Sequence, residues 1–159
     1  MCIRDSPYRD LQPLIEADWA DCELLIVDLP PGTGDVQLSL IQRSRPAGAV
    51  IVSTPQDLSL IDARRAVDLF NKTKVPVLGI IENMATYVCP HCGEESHPFG
   101  SGGAEAAAVE MGVPFLGRLP LSHAIREASD AGVPPTTTGG AEAEAFEAIA
   151  AQLLEAVTH

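Results

Sequence analysis

The feature that most constrains the fold is a repeated pattern in which a short apolar run is followed at once by turn-forming residues and then by a helical stretch. Runs of this length, bounded by Gly, Pro and Asp, are typical of buried strands. Strands that alternate with helices favour an α/β fold, a mostly parallel sheet with helices on both faces. The four predicted strands are Leu24–Asp28, Gly48–Thr54, Val75–Ile81 and Pro114–Leu119.

Helical periodicity is clearest from Ser59 to Lys72, where apolar residues fall three or four positions apart. Two further helices are predicted, Gly102–Met111 and Ser122–Ala131, each followed by a glycine, the second with Ser122 as its N-cap. Pro134–Gly140 is predicted as the loop before a last, packed amphipathic helix. Its apolar stripe is Phe146, Ile149, Ala150, Leu153, Leu154 and Val157.

Composition limits the class of protein. The 159 residues include 46% hydrophobic residues, which suits one compact domain. A formal net charge of −12 would repel a phosphodiester backbone and an anionic bilayer surface. No apolar run approaches the roughly 20 residues that a membrane span needs, so a cytoplasmic location is expected. Residues 1–6, with Cys2, are expected to be a non-native leader, and 7–159 part of a single domain.

Loops that follow parallel strands share one edge of the sheet, where ligands bind in α/β proteins. The loops that begin at Asp28, Thr54, Glu82 and Leu119 are therefore expected to form a common rim. The first of them, Asp28–Asp35, combines a strand-end carboxylate with stiff prolines and with glycines that let N–H groups approach a ligand. This loop suits magnesium and phosphate, although an ordinary strand-to-helix turn has a similar composition.

Cys89 and Cys92 are separated by two residues, so the loop can present both sulfurs to one metal centre. Zinc and an iron–sulfur cluster both accept such ligands, and a redox dithiol is a further reading. Two thiolates are present where four are wanted, so a second copy would supply the others. His91 and His97 are weaker candidates for zinc. Glu94 and Glu95 give no reason to expect a low thiol pKa, and Cys22 is predicted to be a small core residue.

Five segments in this order resemble one family. They are Leu24–Asp35 (LLIVDLPPGTGD), Val50–Ala63 (VIVSTPQDLSLIDA), Pro76–Met84 (PVLGIIENM), Cys89–Gly93 (CPHCG) and Phe99–Gly103 (FGSGG). Together they closely resemble the Mrp/NBP35 iron–sulfur cluster carriers, which are deviant-Walker P-loop ATPases related to the septum-site and plasmid-partition ATPases. The resemblance covers the chain from about Trp19 to its C-terminus.

The resemblance implies roles for individual residues. Asp28 would be the Walker B aspartate on the magnesium side and Gly32 the switch residue facing the γ-phosphate, the two positions implied to be catalytic. Thr33 would also contact the nucleotide, and Asn83 would recognise the adenine edge, although a polar turn residue is its ordinary reading. Cys89 and Cys92 of two subunits would hold a bridging [4Fe–4S] cluster that passes to apoproteins. Contacts of Thr54–Asp57 across the dimer are less specific, since Asp57 could simply cap the next helix.

The sequence contains no Gly-Lys-Ser/Thr loop to cradle phosphates. By the resemblance, that loop belongs to a central strand between those ending at Asp28 and Thr54, so the chain is expected to be a C-terminal part of a P-loop NTPase domain. ATP binding by this chain alone should then be poor and hydrolysis negligible. Unpaired strand edges should lower its stability. A zinc module would leave the Asp28 and Asn83 loops unexplained, and a partition-type ATPase would leave the cysteines unexplained.

Overall fold

The structure is a computed structural model that describes residues 17–19, 21–29, 35–137 and 139–158. The first described helix, α1, spans Asp35–Ser44, and the sequence analysis did not predict it. The elements that follow are β1 (Ala49–Ser53), α2 (Asp57–Thr73), β2 (Val77–Glu82), β3 (Tyr87–Val88), β4 (Glu95–Ser96), α3 (Gly103–Met111), β5 (Phe115–Arg118), α4 (His123–Asp130), a 3-10 turn (Pro135–Thr137) and α5 (Ala141–Thr158). None of the described helices has the length and apolarity needed to cross a bilayer.

The described sheet has three strands in the order β1, β2, β5, and both pairs are parallel. Helix α2 connects the first pair, whereas the β3–β4 hairpin and α3 connect the second. Three of the four predicted strands are therefore confirmed, each within one or two residues of its expected bounds. The central strand β2 is the most deeply buried, because it has a strand on each side and helices on both faces.

The two faces of β2 belong to different apolar clusters. Ile80, with no exposed surface, packs with α2 and α3 on one face. Its neighbour Ile81 points to the other face, where it packs with Leu116 of β5 and Ile149 of α5. This alternation is what a strand produces when helices cover both faces. The α/β class is thus confirmed. The buried face of α2 is also the predicted one, formed by Leu60, Ala63, Val67 and Phe70.

Two of the predicted helix ends are confirmed in detail. The Ser122 hydroxyl accepts hydrogen bonds from the N–H groups of Ala124 and Ile125, as an N-cap does. Gly112 ends α3 in a left-handed conformation. The predicted stripe of α5 is only partly right. Ile149 is buried, but Leu154 and Val157 are exposed, so the end of the helix presents these apolar residues to solvent.

The strand predicted at Leu24–Asp28 is wrong, because these residues have no regular secondary structure and form no ladder with a described strand. Ile26 is 81% exposed, and the apolar residues on either side of it are exposed too. A strand needs a hydrogen-bonded neighbour, and none of the described strands lies beside this run. The prediction that Cys22 is a core residue fails with it, since Cys22 is exposed. Only Leu29, at the end of the run, packs against the main cluster.

Candidate functional site

The carboxyl ends of the three parallel strands lie side by side and form a rim that carries three of the four predicted loops, those at Thr54, Glu82 and Leu119 but not the one at Asp28. Ser53, Glu82 and Arg118 are register partners across the sheet. Beyond them the backbone remains paired, since the N–H of Asn83 donates to the carbonyl of Ser53 at 2.7 Å. The N–H of Leu119 donates to the carbonyl of Glu82 at 2.8 Å. The loops after β1, β2 and β5 therefore start from one rigid edge.

On this rim the loop after β1 is held by its own side chains. The hydroxyl of Thr54 donates to that of Ser59 at 2.8 Å, which ties the loop to the first turn of α2. The N-cap position belongs to Gln56, and Asp57 is the first helical residue. The capping role considered for Asp57 is therefore wrong. Its carboxylate still lies at the positive end of the helix dipole, where an acidic side chain is favourable.

Asn83 follows β2 directly and is half-buried. Its side-chain oxygen accepts a hydrogen bond from the N–H of Met84 at 2.9 Å. Met84 has a left-handed backbone with φ 57°, so Asn83 stabilises a tight turn at the strand end. This is the ordinary turn role of an asparagine. A contact with an adenine edge would add to that role.

The cysteine pair lies at the tip of the β3–β4 hairpin, which rises from the rim directly after this turn. The N–H of Cys89 donates to the carbonyl of Glu94 at 2.9 Å, and the N–H of Gly93 donates to the carbonyl of Cys89 at 2.8 Å. Gly93 has φ 72°, a conformation that favours glycine. The turn is thereby closed, and it carries Cys89, half-buried, and Cys92, exposed, on the same loop, residues 89–94 between the two strands.

The turn also makes Cys89 more acidic than an ordinary cysteine. Hydrogen bonds from the backbone N–H of Cys92, and then from that of His91, lower the pKa of the Cys89 thiol. The Cys92 side chain acts in the same direction, and burial opposes it. The sequence analysis expected no lowering from Glu94 and Glu95, and neither is a cause of it; the lowering comes first from backbone donors, which the sequence analysis did not consider. A thiolate is the form of cysteine that binds metal.

The two histidines considered as further ligands differ in position. His91 lies within the cysteine turn and is exposed. The Nδ1–H of His97 donates to the carbonyl of Ala85 at 2.9 Å, and its Nε2 is 3.8 Å from a Glu95 oxygen. No group of three or more His, Cys, Asp or Glu side chains in the described part of the chain could hold a metal ion. The cysteine pair thus fits half of a four-ligand centre.

Glu82 is a site residue that the sequence analysis missed, although it stated that the rim loop begins there. Its side chain has no exposed surface. One carboxylate oxygen accepts from the N–H of Gly102 at 3.1 Å and from Arg118 Nε at 3.3 Å. The other accepts from the N–H of Ala104 at 2.7 Å. An acid that ends a strongly apolar strand was the available signal, because a buried charge needs partners.

The predicted nucleotide residues are not brought together in the described structure. Asp28 is exposed at the end of the unpaired run, and Gly32 and Thr33 lie outside the described residues. Asn83 lies on the rim, but the described residues form no glycine-rich cradle of N–H groups and lysine for a triphosphate. The described residues therefore do not by themselves fit ATP and Mg²⁺.

The parallel sheet with helices on both faces, together with the solved structures that share it, defines the class as P-loop NTPase-like α/β proteins. Within this class, the chain belongs to the NUBPL iron-transfer P-loop NTPase family, whose sequence pattern matches residues 11–154. The resemblance to Mrp/NBP35 proteins is thereby confirmed.

Comparison with individual relatives supports the same family. The chain is 46% identical over 140 residues to the "Iron-sulfur protein required for NADH dehydrogenase, mitochondrial" of Arabidopsis thaliana, covering 87% of this chain and 45% of that protein. It is 51% identical over 124 residues to the iron–sulfur cluster carrier protein of Pseudomonas fragi, covering 78% of this chain and 43% of the relative. The chain thus spans less than half the length of both relatives.

A solved structure shares the fold. It is the nucleotide-binding protein of Archaeoglobus fulgidus in complex with ADP, with a TM-score of 0.58 and 44% identity. The match covers 65% of this chain and 43% of that one.

Proposed function

We propose that this chain is part of an iron–sulfur cluster carrier and that Cys89 and Cys92 hold the cluster. The observation that carries this proposal is the hairpin turn, which places two cysteines together and lowers the pKa of Cys89 with backbone donors. The cluster is cargo rather than a resident cofactor. A site at an exposed hairpin tip suits cargo, because ligand exchange there needs no opening of the core.

Two copies of the chain would share one [4Fe–4S] cluster. Such a cluster takes four thiolates, and each hairpin supplies two. The described part of the chain offers no third ligand near the pair. A homodimer with a cluster between the hairpins therefore completes the coordination, and recipient apoproteins with better-enclosed sites would take the cluster from it. The cytoplasm is the proposed location, with no nucleic-acid or membrane partner, as the charge of −12 suggests.

Nucleotide dependence is proposed for the longer protein. Residues 7–159 would form the C-terminal part of one P-loop NTPase domain, and a phosphate-binding loop supplied elsewhere would bring ATP and Mg²⁺ to Asp28, Gly32, Thr33 and Asn83. Alone, this chain should bind ATP only weakly, because a strand-end carboxylate without a phosphate cradle does not hold a triphosphate. Calorimetric titration of the chain with MgATP tests this, and micromolar affinity would contradict it.

The central test is anaerobic reconstitution of the 159-residue chain with ferrous iron and sulfide. The wild type should become brown and dimeric, with about two thiolates per chain bound to the cluster. Cys89→Ser and Cys92→Ser should each stay colourless and monomeric. Cys22→Ser is the matched control, because Cys22 is exposed but far from the hairpin in sequence, and it should behave as wild type.

Other results would reject the carrier function. A colourless wild type that binds zinc with the same two cysteines would identify a zinc module instead. A chain that binds neither metal would leave the partition-type ATPases as the nearest functional class. A cluster that survives both cysteine substitutions would show that other residues hold it.

A further inference from the structure

Glu82 is the most deeply buried ionisable side chain among the described residues, and the proposed function does not use it. It ends β2, the central strand, and stands directly before Asn83 and the hairpin. A carboxylate that is removed from water needs donors for its oxygens. Here the donors are the N–H groups of Gly102 and Ala104 and the Arg118 guanidinium. Two of these donors lie in the segment that follows the cysteine hairpin, which indicates the role of the carboxylate.

Gly102 and Ala104 belong to the segment by which the chain leaves the cysteine hairpin. Strand β4 ends at Ser96, and the chain then runs through Phe99–Gly103 into α3. Glu82 therefore fixes the exit of the hairpin to the strand from which the hairpin starts. On its other side this segment is pressed against the loop after β1, where a Cβ on Gly103 would come within 2.5 Å of the Pro55 carbonyl oxygen.

A second contact joins the segments before and after the hairpin. The Nδ1–H of His97, just after β4, donates to the carbonyl of Ala85, just before β3. The N–H of Gly100 donates to the carbonyl of His97 at 3.1 Å. The hairpin itself has strands of only two residues, which alone give little rigidity. Its orientation on the rim is therefore set by the contacts at its base, where the Glu82 side chain is fully buried and its hydrogen bond from Ala104 is buried, whereas the His97 bond to Ala85 is part-buried.

We propose that Glu82 is a positioning residue that holds the base of the Cys89–Cys92 hairpin on the rim, so that the two sulfurs face those of a second copy. The inference rests on the proposed cluster-carrier function. Glu82 touches neither sulfur. It acts through Gly102 and Ala104 on the angle at which the hairpin leaves the sheet, and a shared cluster tolerates little error in that angle because both copies must reach it.

The test compares Glu82→Gln with Glu105→Gln in the 159-residue chain, both reconstituted with iron and sulfide. Glu105 pairs with the same Arg118 but is half-exposed, so its substitution perturbs the guanidinium without loosening the loop. Gln at position 82 keeps the shape of Glu but presents an amide N–H₂ to groups that are themselves donors. Cluster loss to a ferrous chelator is measured at a temperature where all variants are folded, and amide hydrogen exchange is followed by NMR.

Glu82→Gln should lose its cluster about tenfold faster than wild type, which is the usual size of such indirect effects on metal sites. Exchange should rise at Gly102 and Ala104 and at the hairpin amides of Val88 and Cys89. Glu105→Gln should stay within about twofold of wild type in both measurements. If Glu82→Gln does not fold, Arg118→Gln is measured instead, and it should accelerate cluster loss in the same direction but less, since the two N–H donors remain.

A folded Glu82→Gln variant with a lower melting temperature but a wild-type rate of cluster loss would overturn the proposal, since Glu82 would then only stabilise the fold. So would unchanged exchange at Val88 and Cys89. If wild type takes up no cluster, the carrier function fails, and the exchange pattern still decides whether Glu82 orients the hairpin.

Discussion

Two segments of this chain have nearly the same sequence pattern but adopt different structures. Leu24–Asp28 and Val77–Glu82 are both short apolar runs that end in an acid. The first is exposed and has no regular secondary structure, whereas the second is the central strand of the sheet and ends in a fully buried carboxylate. The difference lies in the neighbours. Val77–Glu82 has a strand on each side, and the described structure places none beside Leu24–Asp28. Apolar character selects a strand only where a partner exists.

The largest expected effect comes from truncating one apolar residue in each segment. Ile80→Ala should lower the free energy of unfolding by about 2–5 kcal/mol, because Ile80 is fully buried between two helices and two strands. Ile26→Ala should change it by less than about 0.5 kcal/mol, because Ile26 is 81% exposed. Urea unfolding followed by circular dichroism measures both. Equal losses would break the comparison by showing that residues 24–28 are packed in solution.

A second prediction concerns the loop that satisfies the buried acid. Gly103→Ala would place a Cβ within 2.5 Å of the Pro55 carbonyl oxygen and 3.1 Å of Leu60, and neither the backbone nor the core yields easily. We expect a loss of about 1–3 kcal/mol in the free energy of unfolding. Ser101→Ala, in the same loop but exposed, should be within about 0.5 kcal/mol of wild type. A neutral Gly103→Ala would mean that the loop is not held closely against the rim.

A smaller effect is expected away from both segments, at the start of α4. Ser122→Ala removes the hydroxyl that accepts from Ala124 and Ile125, and it should cost about 1 kcal/mol. Ser129→Ala, on the exposed side of the same helix, should change stability by less than about 0.5 kcal/mol. Thermal unfolding of the two variants gives the difference. A smaller cost at position 122 than at position 129 would contradict the cap seen in the structure.

The last prediction is a pH profile without a stability change. Because the pKa of Cys89 is lowered, its thiolate should be present, and should react with iodoacetamide, at a lower pH than an ordinary cysteine. Cys92→Ala should move the profile of Cys89 to higher pH by removing the side-chain contribution, while the backbone donors keep part of the shift. Mass spectrometry of the alkylated, metal-free chain at a series of pH values measures this. If the alkylation profiles of Cys89 in the wild type and in Cys92→Ala overlap, the Cys92 side chain does not contribute to the lowered pKa of Cys89.

Much of the fold could be read from the sequence, because its strands and helices follow local patterns. Val75–Ile81 and the apolar face of Ser59–Lys72 are examples, since an apolar run between turn residues and a 3.6-residue period need no knowledge of the rest of the chain. Leu24–Asp28 was mispredicted because pairing is not a local property. Helix α1, which directly follows the Asp28–Asp35 loop segment, was not predicted.

The candidate site could be predicted only in part, and for the same reason. The spacing of Cys89 and Cys92 is visible in sequence, and so is the strand end before Asn83. Glu82 acts through residues about twenty positions later, at Gly102 and Ala104, and that contact depends on how the hairpin folds back. The acidity of Cys89 arises from backbone N–H directions, which no list of residue types contains.

The small size of the β3–β4 hairpin has one more consequence. Its two strands pair through only two positions, and its tip shares no apolar cluster with the core. Arrival and departure of metal at Cys89 and Cys92 would thus be a local order–disorder event, with its own melting and exchange rates, separate from cooperative unfolding of the sheet. On the proposed carrier function, a chain that has released its cluster would therefore stay folded.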